Sequence, residues 1–236
     1  MVWLIVTLGI AALLLLAALV RSSACIAHSW YVKAFCGRRD CREKLVALSF
    51  DDGPDGEMTD SVADVLDRHG VKAAFFVIGS KVKGREEQLR RLAEKGHTIG
   101  NHSYSHNYLN DFRLSGKHIG EIRRCNDAIR SACGKEPHFF RPPVGVTTPH
   151  LGSAVKKCGM EVIGWSVRSY DTVKSISREQ VVERIMRKLK PGGIILLHDR
   201  CPDSGRLTEL LIERLEKESY RIVSLGELSG MKEYKD

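Results

Sequence analysis

The chain opens with one long apolar run and then alternates short apolar runs with amphipathic stretches. Residues 2–20 carry no charge, and a helix of that length crosses a bilayer. We therefore predict a membrane anchor or uncleaved signal over 1–24, followed by a basic juxtamembrane linker over 25–43. A cleaved signal peptide is the alternative, but it would have a basic stretch before the apolar core, and here only the amino terminus is positively charged.

Beyond residue 44, the apolar pattern changes between runs typical of buried strands and the spacing of amphipathic helices. The predicted strands are 45–50, 73–79, 97–101, 138–141, 161–167, 193–198 and 221–225. The predicted helices are 59–69, 86–95, 114–132, 149–157, 178–189 and 206–218. This alternation predicts a mostly parallel sheet with helices outside it, as a barrel or a doubly wound sheet. We expect one domain over 44–228 and a short tail over 229–236.

Composition adds little to this picture. The 236 residues are 43% apolar and 28% charged, which is ordinary for a globular protein, and the formal net charge is +8. The basic residues are interleaved with acidic ones on helix faces, so we expect solvated surfaces and no nucleic-acid partner. Of the seven cysteines, Cys36 and Cys41 lie close enough in sequence to pair if they share a loop.

Two adjacent carboxylates end the first predicted strand of the domain. Asp51 and Asp52 follow an apolar run and precede Gly53 and Pro54, which mark a sharp turn. Neighbouring residues on a strand point to opposite sides, so both carboxylates can serve one site only if the turn re-aims one of them. An aspartate-rich surface turn is the alternative interpretation.

Two histidines follow the third predicted strand. His102 and His106 are four residues apart and share one face if the segment forms a helical turn. With Asp52 they make a set of two histidines and one carboxylate, which binds a divalent metal and leaves positions open for water. Zinc is the expected ion, and cobalt, nickel or iron accept the same ligands.

A rigid segment follows the fourth predicted strand. Arg141 precedes two prolines, and the first backbone N–H after them belongs to Val144. Such a donor can stabilise an oxyanion if it points into the site, whereas the alternative is a turn that only closes the strand.

The last candidate residues also come after strands. Asp171 lies just past the fifth predicted strand, and His198 ends a wholly apolar run. A histidine there is either a catalyst or a hydrogen-bonded core residue. The next residue, Asp199, is most simply a turn or helix-cap residue.

Taken in order, the segments Ser-Phe-Asp-Asp-Gly-Pro, His-Ser-x-x-His, Arg-Pro-Pro and Leu-Leu-His resemble the motifs of the polysaccharide deacetylases, carbohydrate esterase family four. The resemblance covers about residues 44–228. It implies an α/β fold, a distorted parallel barrel of about seven strands, and metal-dependent removal of acyl groups from N-acylated sugars. It also implies the following roles: Asp51 as general base, Asp52, His102 and His106 as metal ligands, Arg141 holding Asp51, Val144 donating its N–H, His198 as general acid paired with Asp171, and Leu196, Trp165 and Pro143 lining the substrate pocket.

Three positions depart from the family pattern. Val144 and Thr172 stand where the family usually has aromatic residues, and Arg168 replaces an acid. The groups that perform the reaction are kept, while those that grip a sugar are not. The additional arginine points to an acidic substrate, such as a sugar phosphate or a lipid-linked glycan.

The sequence therefore predicts a membrane-anchored N-deacetylase acting on a cell-envelope glycan that contains N-acetylhexosamine. A deacylase of lipid-linked sugar precursors and a non-catalytic glycan-binding barrel are the alternatives. Basic residues after the apolar run would place the domain in the cytoplasm by the positive-inside rule. The resemblance to enzymes of exported polymers favours the outer side, which is the orientation we expect.

Overall fold

The computed structural model describes residues 1–107 and 115–235. It begins with α1, Val2–Ala24, whose mean hydropathy of 2.7 and length are sufficient to cross a membrane. Residues 1–17 are exposed throughout, so this part of the helix does not pack on the rest of the chain. A 3₁₀ turn, Ile26–His28, leads to the first strand, β1, Ala34–Phe35.

The rest of the described chain alternates strands and helices as the sequence pattern predicts, and a second 3₁₀ turn, Pro143–Gly145, follows the fifth strand. In chain order the elements are β2 Leu45–Asp51, α2 Glu57–Arg68, β3 Ala74–Val77, α3 Gly79–Val82, α4 Glu86–Glu94, β4 Thr98–Asn101, α5 Ser115–Cys133, β5 Phe139–Phe140, α6 Pro149–Lys157, β6 Glu161–Ile163, β7 Val167–Arg168, α7 Arg178–Lys188, β8 Gly193–His198, α8 Ser204–Lys217, β9 Arg221–Ile222 and α9 Leu225–Ser229. Each of the six predicted helices is present within a few residues of its predicted bounds; the predicted start of the third, Leu114, lies outside the described residues.

The strands form one curled parallel sheet in the order β1-β6-β5-β4-β3-β2-β8-β7, with β9 paired to the start of β2. The predicted α/β fold, a distorted parallel barrel, is confirmed. The described residues hold nine strands instead of seven. The predicted strand 161–167 is broken at Gly164 and Trp165 into β6 and β7, and β1 had no strand signal of its own.

Successive side chains of β2 point alternately to the two faces of the sheet. Val46, Leu48 and Phe50 pack outward against the helices, because successive side chains of a strand point to opposite faces. The intervening residues Ser49 and Asp51 point into the barrel, next to its small apolar core. Asp51 is therefore the last inward residue of a wholly buried strand.

The segment 25–43, which the sequence analysis treats as a linker, packs into the domain. β1 pairs with β6, and Ile26 is buried in a cluster with Phe140 and Leu151. An added Cβ at Gly152 would lie 2.2 Å from the carbonyl oxygen of Tyr31, so that contact requires glycine. All seven cysteines are free, including Cys36 and Cys41.

Candidate active site

The two adjacent carboxylates point into the same site because the chain turns between them. Asp51 ends β2, and Asp52 adopts a φ of 77°, a left-handed conformation that re-aims its side chain. The N–H of Asp52 donates to the carbonyl oxygen of Phe76 at 3.2 Å, which fixes the turn against β3. Both aspartates are almost fully buried.

Arg141, on the loop after β5, forms a buried ion pair with Asp51. Its Nη1 donates to Asp51 Oδ1 at 2.7 Å and to Ser49 Oγ at 2.9 Å. Its other nitrogens donate to the carbonyl oxygens of Ile163 and Gly164. The guanidinium has no exposed surface, and such a buried charge is tolerated only when it is paired and hydrogen-bonded. Asp51 is therefore held in one orientation, with Oδ2 towards the histidines.

The two histidines converge from an irregular loop, and the segment 102–106 does not form the helical turn that was one way to bring them together. Ser103 and His106 have positive φ angles, and two side-chain contacts stabilise this path. The N–H of Ser103 donates to Asn101 Oδ1 at 2.8 Å, and the N–H of His106 donates to Ser103 Oγ at 3.0 Å. Asn101 is itself anchored on α5 by a 2.9 Å bond to the carbonyl oxygen of Ile122.

The side chains of Asp52, His102 and His106 form a group that could hold a metal ion, with one ligand atom from each residue lying within 4.8 Å of the others. His102 Nδ1 lies 2.7 Å from the carbonyl oxygen of Arg141, which leaves the lone pair of Nε2 free to face Asp52. Asp52 Oδ1 is buried without a hydrogen-bond donor, although it lies 3.2 Å from His106 Nε2. A buried acceptor between two imidazole nitrogens fits a cation.

The pKa shifts in this group favour the protonation states that bind a cation. Burial opposes the charged form of Asp52, but the adjacent His102 ring and the hydrogen bond from Arg200 hold its pKa well below the usual range. Burial and the neighbouring His102 lower the pKa of His106. The carboxylate is therefore ionised and His106 neutral at neutral pH, and those are the forms that bind metals.

His198 and Asp171 form a second charged pair in the site. His198 Nδ1 lies 2.9 Å from Asp171 Oδ1, and the N–H of His198 donates to Asp171 Oδ2 at 2.7 Å. Although burial works against the imidazolium, the hydrogen bond and charge of Asp171 raise the pKa of His198. In the sheet His198 pairs with Asp51, so acid and base candidates come from neighbouring strand ends.

Two further residues of the site had not been assigned from the sequence. Arg200 Nε donates to Asp52 Oδ2 at 2.6 Å, which turns Oδ1 towards the histidines. Asp199 lies in a turn, as predicted, but it is also buried and accepts a 2.7 Å hydrogen bond from Thr59. Burial raises the pKa of Asp199 to about 7. The run of three ionisable residues, His-Asp-Arg, at the end of β8 was the only local signal for either residue.

The loop after β5 is compact and carries Val144 at its tip. Val144 has a φ of 49°, which is strained for a β-branched residue, and its side chain is 52% exposed. Of the predicted pocket residues, Pro143 and Leu196 are buried. Trp165 packs beneath the loop, where a Cβ at Gly145 would lie 2.4 Å from its ring. It also lines a hollow of about 460 Å³ beside Arg38 and Lys190.

The other two departures from the family pattern lie at the end of β7 and on the loop after it. Arg168 is exposed, with its guanidinium 5.2 Å from the centroid of the Tyr170 ring, and Thr172 is exposed beside it. Arg184 lies 4.1 Å from the same ring centroid. Tyr170 is an exposed aromatic group that the sequence analysis did not single out.

A curled parallel barrel with two histidines and a carboxylate at its strand ends defines a class of metal-site hydrolase folds. The chain belongs to the polysaccharide deacetylase family, whose model matches residues 38–163. It is 34% identical over 198 residues to the peptidoglycan-N-acetylmuramic acid deacetylase PdaC of Bacillus subtilis (strain 168). It is also 34% identical over 177 residues to a chitooligosaccharide deacetylase of Bradyrhizobium sp. (strain ANU 289).

Coverage differs between these relatives. The match spans 84% of this chain but 41% of the Bacillus protein, and 73% of this chain and 80% of the Bradyrhizobium protein. Among solved structures, the Bc1960 peptidoglycan N-acetylglucosamine deacetylase superimposes with a TM-score of 0.78 and 29% identity, covering 86% of this chain and 94% of that one. The similarity therefore extends over almost the whole barrel.

Proposed function

We propose that this chain is a metal-dependent N-deacetylase that hydrolyses the acetamide of N-acetylhexosamine units in a cell-envelope polysaccharide, such as peptidoglycan or a chitin-like oligosaccharide. The observation that carries the proposal is the placing of a buried Asp51–Arg141 pair and a His198–Asp171 pair beside a three-residue metal group. The relatives named above act on glycans of this class, which supports the choice of substrate.

The metal is held by Asp52, His102 and His106 in this proposal, and zinc is its expected identity, with cobalt, nickel or iron as ions that the same ligands accept. A divalent cation there lowers the pKa of a water molecule to about 7 and polarises the amide carbonyl. The chain's own residues then supply the proton transfers and the orientation of the groups that make them.

Asp51 acts as the general base. Its Oδ1 is held by Arg141, and its Oδ2 faces His102 at 3.7 Å, so the carboxylate is already oriented to receive the proton of an attacking water. Val144 donates its backbone N–H to the developing oxyanion, a contact worth about 3 kcal/mol in other hydrolases.

His198 acts as the general acid. The leaving nitrogen of an amide must gain a proton before it departs, and His198 carries that proton because Asp171 stabilises the imidazolium. Its Nδ1 faces Asp171, so Nε2 is the atom that donates. Base and acid thus come from two separately paired side chains, Asp51 with Arg141 and His198 with Asp171.

We further propose that α1 anchors the domain to the cytoplasmic membrane with the domain on the outer side. Its length and hydropathy support the anchor, and the nature of the relatives' substrates supports the orientation. A carboxy-terminal fusion to a reporter that is active only outside the cytoplasm tests this. An inactive reporter on a stably expressed fusion would place the domain inside.

The function is tested by acetate release from chitooligosaccharides and peptidoglycan fragments by the zinc-loaded full chain in detergent. Asp51→Asn should lower the rate by about 10²- to 10⁴-fold, since it keeps the shape of the carboxylate but cannot accept the proton. Asp55→Asn is the matched control, because Asp55 lies on the same loop and pairs with Lys81 outside the metal group. Equal rates in Asp51→Asn and the wild type would refute the assignment.

A further inference from the structure

The last turn of α1 is hydrogen-bonded to the loop that follows β5. Thr147 has no exposed surface, and its N–H donates to the carbonyl oxygen of Ser23 at 2.9 Å. Its hydroxyl lies 3.0 Å from the carbonyl oxygen of Ser22, whose own hydroxyl accepts a 2.7 Å bond from the N–H of Trp30. Ser22 is 1% exposed. These contacts fix the end of the helix to the domain.

This contact places α1 at the catalytic edge of the sheet. Thr147 follows Val144 by three residues, on a loop that leaves the carboxyl end of β5, and the neighbouring strand β4 ends at the metal-ligand loop. Val146 lines a shallow hollow with Leu19 and Val20 of the helix. Because residues 1–17 are exposed, the apolar helix leaves the domain at the edge that carries the site.

Exposed apolar side chains are concentrated at that same edge. Beyond Met1 and α1, the described residues expose five large hydrophobic side chains: Trp30, Met58, Val144, Tyr170 and Val173. Met58 lies in the first turn of α2 after β2, Val144 follows β5, and Tyr170 and Val173 follow β7, so these four lie near carboxyl ends of strands. Trp30 adjoins the end of α1. Such side chains are typical of the interface between a membrane and water.

Basic residues accompany these apolar side chains. Arg21 lies in the last turn of α1, Arg168 ends β7, and Lys174 lies on the loop after β7, so the last two flank Tyr170 and Val173. All three cations are exposed. Cationic side chains at this level interact favourably with anionic lipid head groups.

We propose that the catalytic edge lies against the bilayer surface, with Val144, Tyr170 and Val173 in the head-group layer and α1 as the tether. What this arrangement implies about the substrate rests on the proposed function. A sugar joined to a lipid reaches the site without leaving the membrane, so among the N-acetylhexosamine glycans of the proposed function the substrate is one that is carried on a lipid. The loop that carries the proposed oxyanion donor is also the loop that is hydrogen-bonded to the end of the anchor.

Docking is tested by photo-crosslinking of the full chain in vesicles of phosphatidylethanolamine and phosphatidylglycerol in equal parts. p-Benzoylphenylalanine is placed singly at Val144 or Val173, at Leu13 within α1, and at Glu94 or Lys217, which end helices at the opposite edge. We expect lipid adducts from Val144, Val173 and Leu13, at several times the yield from Glu94 and Lys217. Yields at Val144 and Val173 no higher than at the opposite edge would overturn the proposal, as would the absence of adducts at Leu13.

The substrate class is tested with Val173→Asp, a change at an exposed position outside the proposed catalytic groups. It should lower, severalfold, the hydrolysis of an N-acetylglucosamine disaccharide joined to a dialkyl lipid in these vesicles, and leave hydrolysis of soluble chitooligosaccharide unchanged. An equal effect on both substrates, or on neither, would overturn the lipid-linked assignment. If the wild type hydrolyses neither substrate while the crosslinks at Val144 persist, the deacetylase proposal fails and the docking stands.

Discussion

At the scale of single residues, the His198–Asp171 pair sets the pH range of the proposed reaction. The pKa of His198 is raised because Asp171 outweighs the effect of burial. A general acid must be protonated, so activity should fall as the pH rises through this raised pKa. In Asp171→Asn the charge is lost while burial remains, and the pKa of His198 should drop.

We therefore expect the alkaline limb of kcat/KM against pH to move to lower pH in Asp171→Asn, together with a lower kcat at pH 8. NMR titration of the His198 ring provides an independent reading of the same shift. Ser169→Ala is the control, since Ser169 donates to the same carboxylate at 2.9 Å but carries no charge. An alkaline limb at the same pH in wild type and Asp171→Asn would assign the acid to another group.

Asp199 should make the fold less stable as the pH rises. Its pKa is raised to about 7 by burial, whereas an aspartate in the unfolded chain ionises near pH 4. The neutral carboxyl therefore favours the folded state at low pH, and this contribution is lost as the pH rises from about 4 to about 7. Asp199→Asn cannot ionise, so its urea midpoint should fall less than that of the wild type between pH 5 and pH 8. Parallel curves for the two proteins would contradict the buried, neutral assignment.

At the scale of elements, the sequence pattern predicted what depends on neighbours along the chain. β2 and β8 are long apolar runs with polar residues at their ends, so Asp51, Asp52 and His198 could be located without a structure. The path of the histidine loop depends on Asn101, whose side chain is anchored on α5. That contact is distant in sequence, so the spacing of the two histidines indicated that they could meet but not the irregular path by which they do.

Two other elements escaped prediction for the same reason. β1 is two residues long and exists as a strand only because it pairs with β6. Arg200 looks like a surface residue in the sequence, and only the loop after β8 brings it to Asp52. Short elements and side-chain pairs of this kind are set by tertiary contacts, which the periodicity of a segment does not encode.

The segment before β1 should contribute measurably to the stability of the domain. Ile26 is 4% exposed and packs with Phe140 and Leu151, so Ile26→Ala should lower the free energy of unfolding by about 2–5 kcal/mol. Ile10→Ala makes the same chemical change on the exposed part of α1 and should have little effect on unfolding in detergent. Urea titrations of both variants measure the difference. An unchanged midpoint for Ile26→Ala would mean that the segment 25–43 is a linker after all.

At the scale of the whole molecule, a bound cation should join parts of the barrel that are not adjacent. Asp52 follows β2 and the two histidines follow β4, with β3 between these strands. A ligand that binds only the folded state stabilises it by about 2.7 kcal/mol at a hundred times its Kd. For a chain of this length, zinc should then raise Tm by roughly 5–10 °C, and removal by a chelator should reverse the rise.

His106→Ala should abolish this rise in Tm, because it removes one of the three ligand atoms. His138→Ala is the matched control, since His138 is bonded to the carbonyl oxygen of Lys232, away from the site. The rise should also disappear in acid, because a protonated imidazole cannot bind a metal. Burial lowers the pKa of His106, so the effect of zinc should persist somewhat below pH 6.5, the ordinary pKa of histidine. Scanning calorimetry of the wild type and the two variants, with and without zinc at several pH values, measures these changes in Tm. An equal rise in Tm in both variants would place the metal elsewhere.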